Sequence, residues 1–193
     1  MKNDLILAGV GGQGILTIAA IIGKAAMKAG LNVKQSEVHG MAQRGGAVLA
    51  HLRLSSEPIF SDLIAEHSAD VILAVEPMEA MRHIEGLADS GAIIANATPV
   101  KNIADYPETE ALIAEIKKHP KSVVLDADGL AVAAGSARAM NTVMLGAVSV
   151  FLDMDADLLR NVIRENFARK GEDVVNVNIA CLKAGREYAE QNK

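Results

Sequence analysis

The sequence predicts an α/β protein built on a doubly wound, mostly parallel (Rossmann-like) sheet with a helical C-terminal tail. Strand-like apolar runs alternate with helix-like segments until about residue 128, and the pattern from residue 129 onward is helical. Half of the 193 residues are hydrophobic, whereas 3% are aromatic and none is Trp. Such a core suits buried parallel strands under close-packed helices. Because no linker or repeat divides the chain, we expect one domain over residues 1–193.

The first predicted elements surround a cluster of glycines. An apolar run predicts a strand over residues 4–9, and the helix that follows ends at Gly30, a favourable C-terminal stop. This helix is apolar on nearly every side over residues 15–22, which predicts that it is buried on both faces or covered by a partner. The other elements predicted here are a helix over 12–29, a strand over 31–37, a loop over 38–46 and a strand over 47–54.

The second half continues the alternation and then becomes helical. Pro77 is favoured in the first turn of a helix and opens the helix predicted through about residue 88. Asp155 is placed to cap the helix that starts at residue 156. The remaining predicted strands cover 70–75, 91–96 and 122–126, and the remaining helices cover 109–118, 129–135, 141–152, 156–169 and 173–191.

Charge and composition exclude several classes of function. A net charge of −5 and few aromatic residues argue against a nucleic-acid partner, which needs a basic face or stacking platforms. Cys181 is the only cysteine, so the chain alone cannot hold a disulfide, or an iron–sulfur cluster with its usual set of about four Cys ligands. No Cys/His spacing predicts a metal site. The apolar runs fall far short of a membrane span of roughly 20 residues, so we expect no membrane association and a cytoplasmic location.

Residues 9–14, Gly-Val-Gly-Gly-Gln-Gly, form the most informative motif. A glycine turn between a strand and a helix lets the backbone approach a ligand, and the free N–H groups and dipole of the helix N-terminus favour a phosphate. The spacing of Gly9 and Gly14 also matches a Walker A loop, but Ile15 and Leu16 stand where that loop needs Lys and Ser/Thr. The motif therefore predicts a phosphate-bearing ligand and excludes nucleotide hydrolysis of the Walker type.

The same glycines fit the dinucleotide-binding pattern G-x-G-x-x-G. Glu37 stands near the position, about 20 residues on, at which an acidic residue would hold a ribose hydroxyl. An NAD-binding oxidoreductase is therefore one alternative, although no separate substrate domain accompanies the motif. A nucleotide-sensing regulatory module without chemistry is another. In a purely structural interpretation, the glycines only allow tight packing of strand on helix.

A second polar loop follows the second predicted strand. Residues 38–46 combine the His39 imidazole, the Gln43 amide and the Arg44 guanidinium with three glycines. In a doubly wound sheet we expect this loop beside the loop after the first strand, at the carboxyl edge where ligands bind. The fork of donors on Arg44 suits a phosphate. Two loops would then converge on one anionic ligand, with His39 as the candidate catalytic residue.

Residues 9–14 and 36–46 (Ser-Glu-Val-His-Gly-Met-Ala-Gln-Arg-Gly-Gly) together resemble the gamma-domain signature of the 2-oxoacid:ferredoxin oxidoreductases. The resemblance continues through residues 141–147 and through residues 178–180 with Gly185. As a separate polypeptide of this size, the chain is most similar to the small subunits of the indolepyruvate-using members.

The resemblance implies a division of roles between subunits. Enzymes of this family use thiamine diphosphate to decarboxylate a 2-oxoacid, iron–sulfur clusters to remove electrons, and coenzyme A to take the acyl group. The only candidate here for a thiamine-binding Gly-Asp-Gly element is residues 126–129, in which the first glycine is missing. Thiamine diphosphate and the clusters are therefore expected on a larger alpha subunit, and ferredoxin is expected to be an indirect partner.

For this chain, the resemblance implies that it covers the partner's thiamine diphosphate site and helps to bind coenzyme A, with no activity expected of the chain alone. The glycine motif is expected to receive a phosphate of coenzyme A through Gly11, Gly12, Gln13 and Gly14. Arg44 would add positive charge. The other residues expected at the same mouth are Ser36, Glu37, His39 and Gln43.

Overall fold

The computed structural model describes residues 1–39, with His39 by its backbone, and 45–193. The strands are β1 (Lys2–Val10), β2 (Asn32–His39), β3 (Ala47–Ser55), β4 (Ala69–Ala74), β5 (Leu87–Asn96) and β6 (Ser122–Leu125). The helices are α1 (Ile15–Lys28), α2 (Pro77–Arg82), α3 (Thr109–Ile116), α4 (Ala127–Ala133), α5 (Met140–Val148), α6 (Ala156–Phe167) and α7 (Glu172–Asn192). No helix in these ranges has both the length and the apolar character needed to cross a membrane.

The strands of the described residues form one six-stranded sheet in the order β2-β3-β1-β4-β5-β6. Strands β1, β4, β5 and β6 pair in parallel, whereas β3 runs antiparallel to both β1 and β2. The predicted α/β class with a mostly parallel sheet and a helical tail is therefore confirmed. Strand β2 does not neighbour β1, because β2 and β3 form a hairpin whose returning strand, β3, pairs with β1 instead.

Helices cover both faces of the sheet and bury two apolar cores. The larger core lies under α1 and the C-terminal helices, and the smaller one lies under α2 and α3. Helix α1 is buried on two sides as predicted, since it packs between the sheet and α6. Large buried side chains of the first core include Leu7, Ile22, Leu52, Val143 and Leu159, and those of the second include Ile6, Ile72, Ile93 and Ile116.

Most helix ends follow the local signals in the sequence. Gly30 adopts a φ of +77° just after α1, and Asp155 accepts the Asp157 N–H at 2.9 Å as the cap of α6. The boundary between the predicted helix 77–88 and the strand 91–96 is wrong, because α2 ends at Arg82 and β5 begins at Leu87. Pairing with β4 across a register irregularity, rather than the local pattern, decides where β5 begins.

Helices α5 and α7 cross at two glycines. A Cβ on Gly146 would lie 2.0 Å from the carbonyl oxygen of Leu182, and one on Gly185 would lie 1.9 Å from that of Val143. Both distances are far inside van der Waals contact, so only glycine permits this approach. The glycines thereby fix the spacing of the two helices that close the larger core.

The buried Asp4–Arg53 pair joins β1, β3 and the segment between β3 and β4. Arg53 Nε lies 2.8 Å from Asp4 Oδ1, and Nη2 lies 3.0 Å from Oδ2. The remaining guanidinium nitrogen, Nη1, donates to the carbonyl oxygens of Ser61 and Leu63 at 3.0 and 3.1 Å. Burial raises the pKa of Asp4, but hydrogen bonds and positive charge from Arg53 and Lys2 outweigh it and hold that pKa below its usual 3.8.

We predict that Gly185→Ala destabilises the fold by about 3 kcal/mol, because the helices must separate to admit the methyl group. The matched control is Gly23→Ala in α1, where a Cβ would lie 3.5 Å from Val33 Cγ1, an ordinary contact. That control should be neutral or more stable by about 1 kcal/mol through helix propensity. Urea unfolding of both variants tests this, and equal stabilities would contradict the close-packing argument.

We predict that Asp4→Asn lowers the free energy of unfolding at neutral pH by about 2 kcal/mol, since it leaves Arg53 without its charged partner. Because the folded pKa of Asp4 is depressed, its contribution is full above the unfolded value and disappears as pH falls through the folded one. The difference between wild type and variant should therefore shrink below about pH 4. Glu165→Gln, which breaks the exposed pair with Lys28, should have a much smaller effect.

Candidate functional site

The loop between β1 and α1, residues 11–14, is called here the glycine turn. Gly12 and Gly14 have φ values of +103° and +82°, in the left-handed region that disfavours other side chains. Gly14 is the N-cap of α1 and has no side chain to pair with the helix. The turn therefore brings bare backbone to the N-terminus of a buried helix.

The first turn of α1 leaves backbone donors without acceptors. The N–H groups of Thr17 and Ile18 donate to the carbonyl oxygen of Gly14 at 3.0 and 3.2 Å. Within residues 1–39 and 45–193, four nearby N–H groups have no hydrogen-bond acceptor: those of Gly12, Gly14, Ile15 and Leu16. Unpaired N–H groups at the positive end of a helix dipole form a favourable environment for an anion.

These donors lie at an open cavity of about 300 Å³, called here the glycine cavity. Val48 of β3 and Thr17 of α1 line it together with the glycine turn. The full set of described lining residues is Val10, Gly11, Gly12, Gly14, Ile15, Leu16, Thr17 and Val48. None of these carries a charged or titratable side chain, so their polar contribution comes from the backbone and the Thr17 hydroxyl.

Gln13 braces the turn instead of facing the cavity. Its Oε1 accepts the Val10 N–H at 2.8 Å, and its Nε2 donates to the Val75 carbonyl oxygen at 3.1 Å. These two bonds join the carboxyl ends of β1 and β4, where the chain leaves the sheet in opposite directions. Both polar atoms of the amide are thereby engaged within the protein.

Two further segments meet the glycine turn. The Gly11 N–H donates to the Gly46 carbonyl oxygen at 2.8 Å, and the Gly45 N–H donates to the Gly11 carbonyl oxygen at 3.4 Å. Asn102, from the segment between β5 and α3, donates from Nδ2 to the Gly45 carbonyl oxygen at 2.7 Å. The end of loop 38–46 thus lies against the turn, as expected from the sequence, although β2 itself does not.

The remaining predicted site residues are distributed over both faces of the hairpin. Ser36 pairs with His51, so its side chain lies on the face of the sheet opposite to that of Val48. Glu37 pairs with Ala50, which places its exposed side chain on the same face as α1. The sheet therefore separates Ser36 from the glycine cavity. The backbone of His39 lies opposite Val48, a cavity-lining residue. Gln43 and Arg44 lie outside the described residues.

The position of Glu37 bears on the NAD alternative. A dinucleotide fold needs an acidic residue at the end of the strand next to the glycine turn. Here β3 takes that place, and Glu37 lies one strand further out, on β2, about 10 Å across the sheet from β1. The geometry of the hairpin does not favour a ribose contact.

Other polar groups at the carboxyl edge have structural roles. Asp126 Oδ1 accepts the Gly129 N–H at 2.8 Å as the cap of α4, and Asp128 Oδ2 accepts Asn96 Nδ2 at 2.9 Å. Cys181 is fully buried in α7, and burial raises the pKa of its thiol. In the described ranges, no three His, Cys, Asp or Glu side chains are grouped closely enough to hold a metal ion.

Sequence reasoning missed four contributors to the site. Val48 and Thr17 line the glycine cavity, Asn102 contacts Gly45, and Asn141 lies against Gly14, since its Nδ2 is 2.6 Å from a Cβ built there. Asn141 is the first residue of segment 141–147, which resembles the family. That resemblance could have identified Asn141 from the sequence. The others come from elements whose approach depends on the tertiary fold.

The fold and this site define a class of protein: an α/β domain whose glycine turn presents unpaired backbone N–H groups at the point where its sheet topology reverses. Residues 4–188 match the family described as "Pyruvate ferredoxin/flavodoxin oxidoreductase". The chain therefore belongs to that family, which confirms the resemblance read from the glycine turn and loop 38–46.

Relatives of nearly equal length carry a consistent name. The chain is 37% identical over 198 residues to the indolepyruvate oxidoreductase subunit IorB of Archaeoglobus fulgidus, covering 98% of this chain and 96% of that protein. It is 38% identical over 200 residues to the protein of the same name from Pyrococcus horikoshii, with coverage of 98% and 97%.

Solved structures share the fold. The 2-oxoglutarate:ferredoxin oxidoreductase from Magnetococcus marinus, with 2-oxoglutarate, coenzyme A and succinyl-CoA bound, superposes with a TM-score of 0.80 at 24% identity. The match covers 98% of this chain and 31% of that longer chain. The pyruvate oxidoreductase subunit PORC from Thermotoga maritima gives a TM-score of 0.74 at 22% identity, with 96% of both chains covered.

We predict that Gln13→Leu destabilises the protein by about 2 kcal/mol, because it removes both bracing hydrogen bonds and leaves the buried Val10 N–H without its partner. Gln35→Leu on the exposed edge strand β2 is the matched control and should be close to neutral. Urea unfolding measures both effects. A Gln13→Leu protein as stable as wild type would show that this amide does not brace the turn.

Proposed function

We propose that this chain is the small subunit of a 2-oxoacid:ferredoxin oxidoreductase acting on indolepyruvate or a related aryl pyruvate. The observation that supports this most strongly is the similarity, over nearly the whole of both chains, to subunits named for indolepyruvate. The reaction class is oxidative decarboxylation of the 2-oxoacid to an acyl-CoA, with the electrons passed to ferredoxin.

The proposal places thiamine diphosphate and the iron–sulfur clusters on a larger alpha subunit. The chain has one cysteine, and it is buried in a helix, so its residues do not fit an iron–sulfur cluster. Asp126 and Asp128, the nearest match to a thiamine element, are engaged in capping and in a hydrogen bond with Asn96. The 31% share of the Magnetococcus chain that this chain spans is consistent with further domains, supplied here by a partner.

For the chain itself, we propose that the glycine cavity binds a phosphate of coenzyme A. The unpaired N–H groups of the glycine turn and the first turn of α1 supply donors to the phosphate oxygens. The described lining residues bring no charge, so the proposal assigns that role to Arg44, with Gln43 and His39 in the same loop. Ser36 and Glu37 are not needed for this contact.

The geometry supports a role in binding and positioning rather than proton transfer. A cavity whose described walls hold no titratable group cannot supply a general acid or base from those walls. Holding the phosphate fixes the cofactor in place, which lowers the entropy cost of bringing its thiol to the reacting carbon. Covering the partner's site would also exclude water from it.

We predict that the native chain copurifies anaerobically with a larger, cluster-bearing subunit, and that the complex reduces ferredoxin with indolepyruvate only when coenzyme A is present. Arg44→Ala should raise the apparent KM for coenzyme A about 10-fold or more, with the KM for the 2-oxoacid unchanged, because a charge-assisted phosphate contact is lost.

Arg160→Ala, which removes an exposed arginine of α6 that pairs with Asp157, is the control and should leave both KM values unchanged. An unchanged KM for coenzyme A in Arg44→Ala would contradict the phosphate assignment. Purification without a larger partner would contradict the subunit assignment.

A further inference from the structure

A second cavity, of about 500 Å³, lies beside the glycine cavity on the helical face. It is enclosed by the first turn of α1, the segment before α5, the end of α6 and the start of α7. Asn178 forms a rigid, buried part of its wall, since it accepts from the Thr142 hydroxyl at 2.7 Å and donates to the Val174 carbonyl oxygen at 2.8 Å. The cavity is therefore a fixed feature of the packed helices.

The second cavity is polar and positively charged. Arg138 and Lys170 line it, together with amide and hydroxyl side chains, and no carboxylate is among its described lining residues. This is notable in a chain whose net charge is −5. Asp173 lies in an adjoining groove that shares Ser136 and Asn178 with the cavity.

Arg138 and Lys170 differ from other cations on the surrounding helices. Within the described ranges neither forms an ion pair, and Lys170 lies 5.3 Å from the centre of the Phe167 ring. By contrast, Arg164 of α6 pairs with Glu172 at 3.2 Å, and Lys28 of α1 pairs with Glu165. Two exposed cations at a polar cavity thus keep their charge available for an anion.

The two cavities adjoin through shared residues. Thr17 lines both of them. Asn141 lines the second cavity and at the same time lies against Gly14 of the glycine turn. A ligand that has phosphate groups at two separate places could therefore occupy both without leaving the surface of the protein.

We propose that the second cavity binds the phosphate monoester on the nucleotide end of coenzyme A, with Arg138 and Lys170 as its ligands. This proposal rests on the proposed function, in which the glycine cavity takes another phosphate of the same molecule. A phosphate monoester carries a charge of nearly −2 at neutral pH, and a guanidinium fork, an ammonium group and amide donors match it. Arg138 and Lys170 would thus distinguish coenzyme A from an analogue that lacks this monoester.

The test compares coenzyme A with dephospho-coenzyme A, which lacks only the 3′-phosphate, in ferredoxin reduction by the native complex. Wild type should show a KM for dephospho-coenzyme A about 10-fold or more above that for coenzyme A. The double variant Arg138→Gln/Lys170→Gln should raise the KM for coenzyme A to that of the analogue and leave kcat unchanged. Arg164→Gln, a nearby paired cation, should retain the wild-type ratio.

A double variant that keeps the wild-type ratio, or a wild type that does not distinguish the two compounds, would overturn the proposal while leaving the glycine-cavity assignment intact. If the complex shows no dependence on coenzyme A at all, it is the proposed function that fails. Titration of the full chain with adenosine 3′,5′-bisphosphate then decides the cavity assignment, since binding should be about 10-fold weaker in the double variant. Equal binding by wild type and variant would overturn it.

Discussion

The architecture depends on a very close approach where β1 leaves the sheet. A Cβ on Gly9 would lie 2.3 Å from Val75 Cγ2 and 2.8 Å from Ile15 Cδ1, so β4 and α1 both press on the bare backbone of this residue. Gln13 then joins the ends of β1 and β4 across the same point. This contact sets the angle at which α1 leaves the sheet. Because α6 packs on α1, it also sets the position of the C-terminal helices.

A second buried contact supports the loops above this point. Glu76 is fully buried at the end of β4, where it caps α2 by accepting the Glu79 N–H at 3.0 Å. It also accepts the hydroxyl of Tyr106, and burial together with this carboxylate raises the pKa of Tyr106 well above its usual value. The segment held by Tyr106 includes Asn102, which contacts Gly45 beside the glycine turn. The loops at the carboxyl edge are therefore connected by hydrogen bonds, which suits a site formed from backbone groups.

Local sequence patterns predicted the helices and strands, whereas contacts between distant segments decided the strand order and the contacts at the site. Apolar periodicity was enough to predict the fold class, and the glycine motif was enough to predict the turn. Both signals come from residues that are close together in the sequence. The sequence did not predict that β3 pairs with β1, because this depends on which strand of the β2–β3 hairpin joins the rest of the sheet. The role of Gln13 depends on Val75, 62 residues away. The expectation that Ser36 and Glu37 share one mouth conflicts with strand alternation itself, which puts adjacent side chains on opposite faces.

The C-terminal helices, predicted as a tail, line the second cavity and contact the glycine turn. Their attachment depends on Gly146 and Gly185, which let α5 and α7 approach closely enough to place Asn141 against Gly14 and Asn178 at the wall of the second cavity. A shift of α5 would therefore move the wall of the second cavity and the support of the glycine turn together. This coupling gives the backbone donors of the glycine turn and the cations of the second cavity a common helical support. A phosphate held by fixed N–H groups is positioned only as well as the helix that presents them.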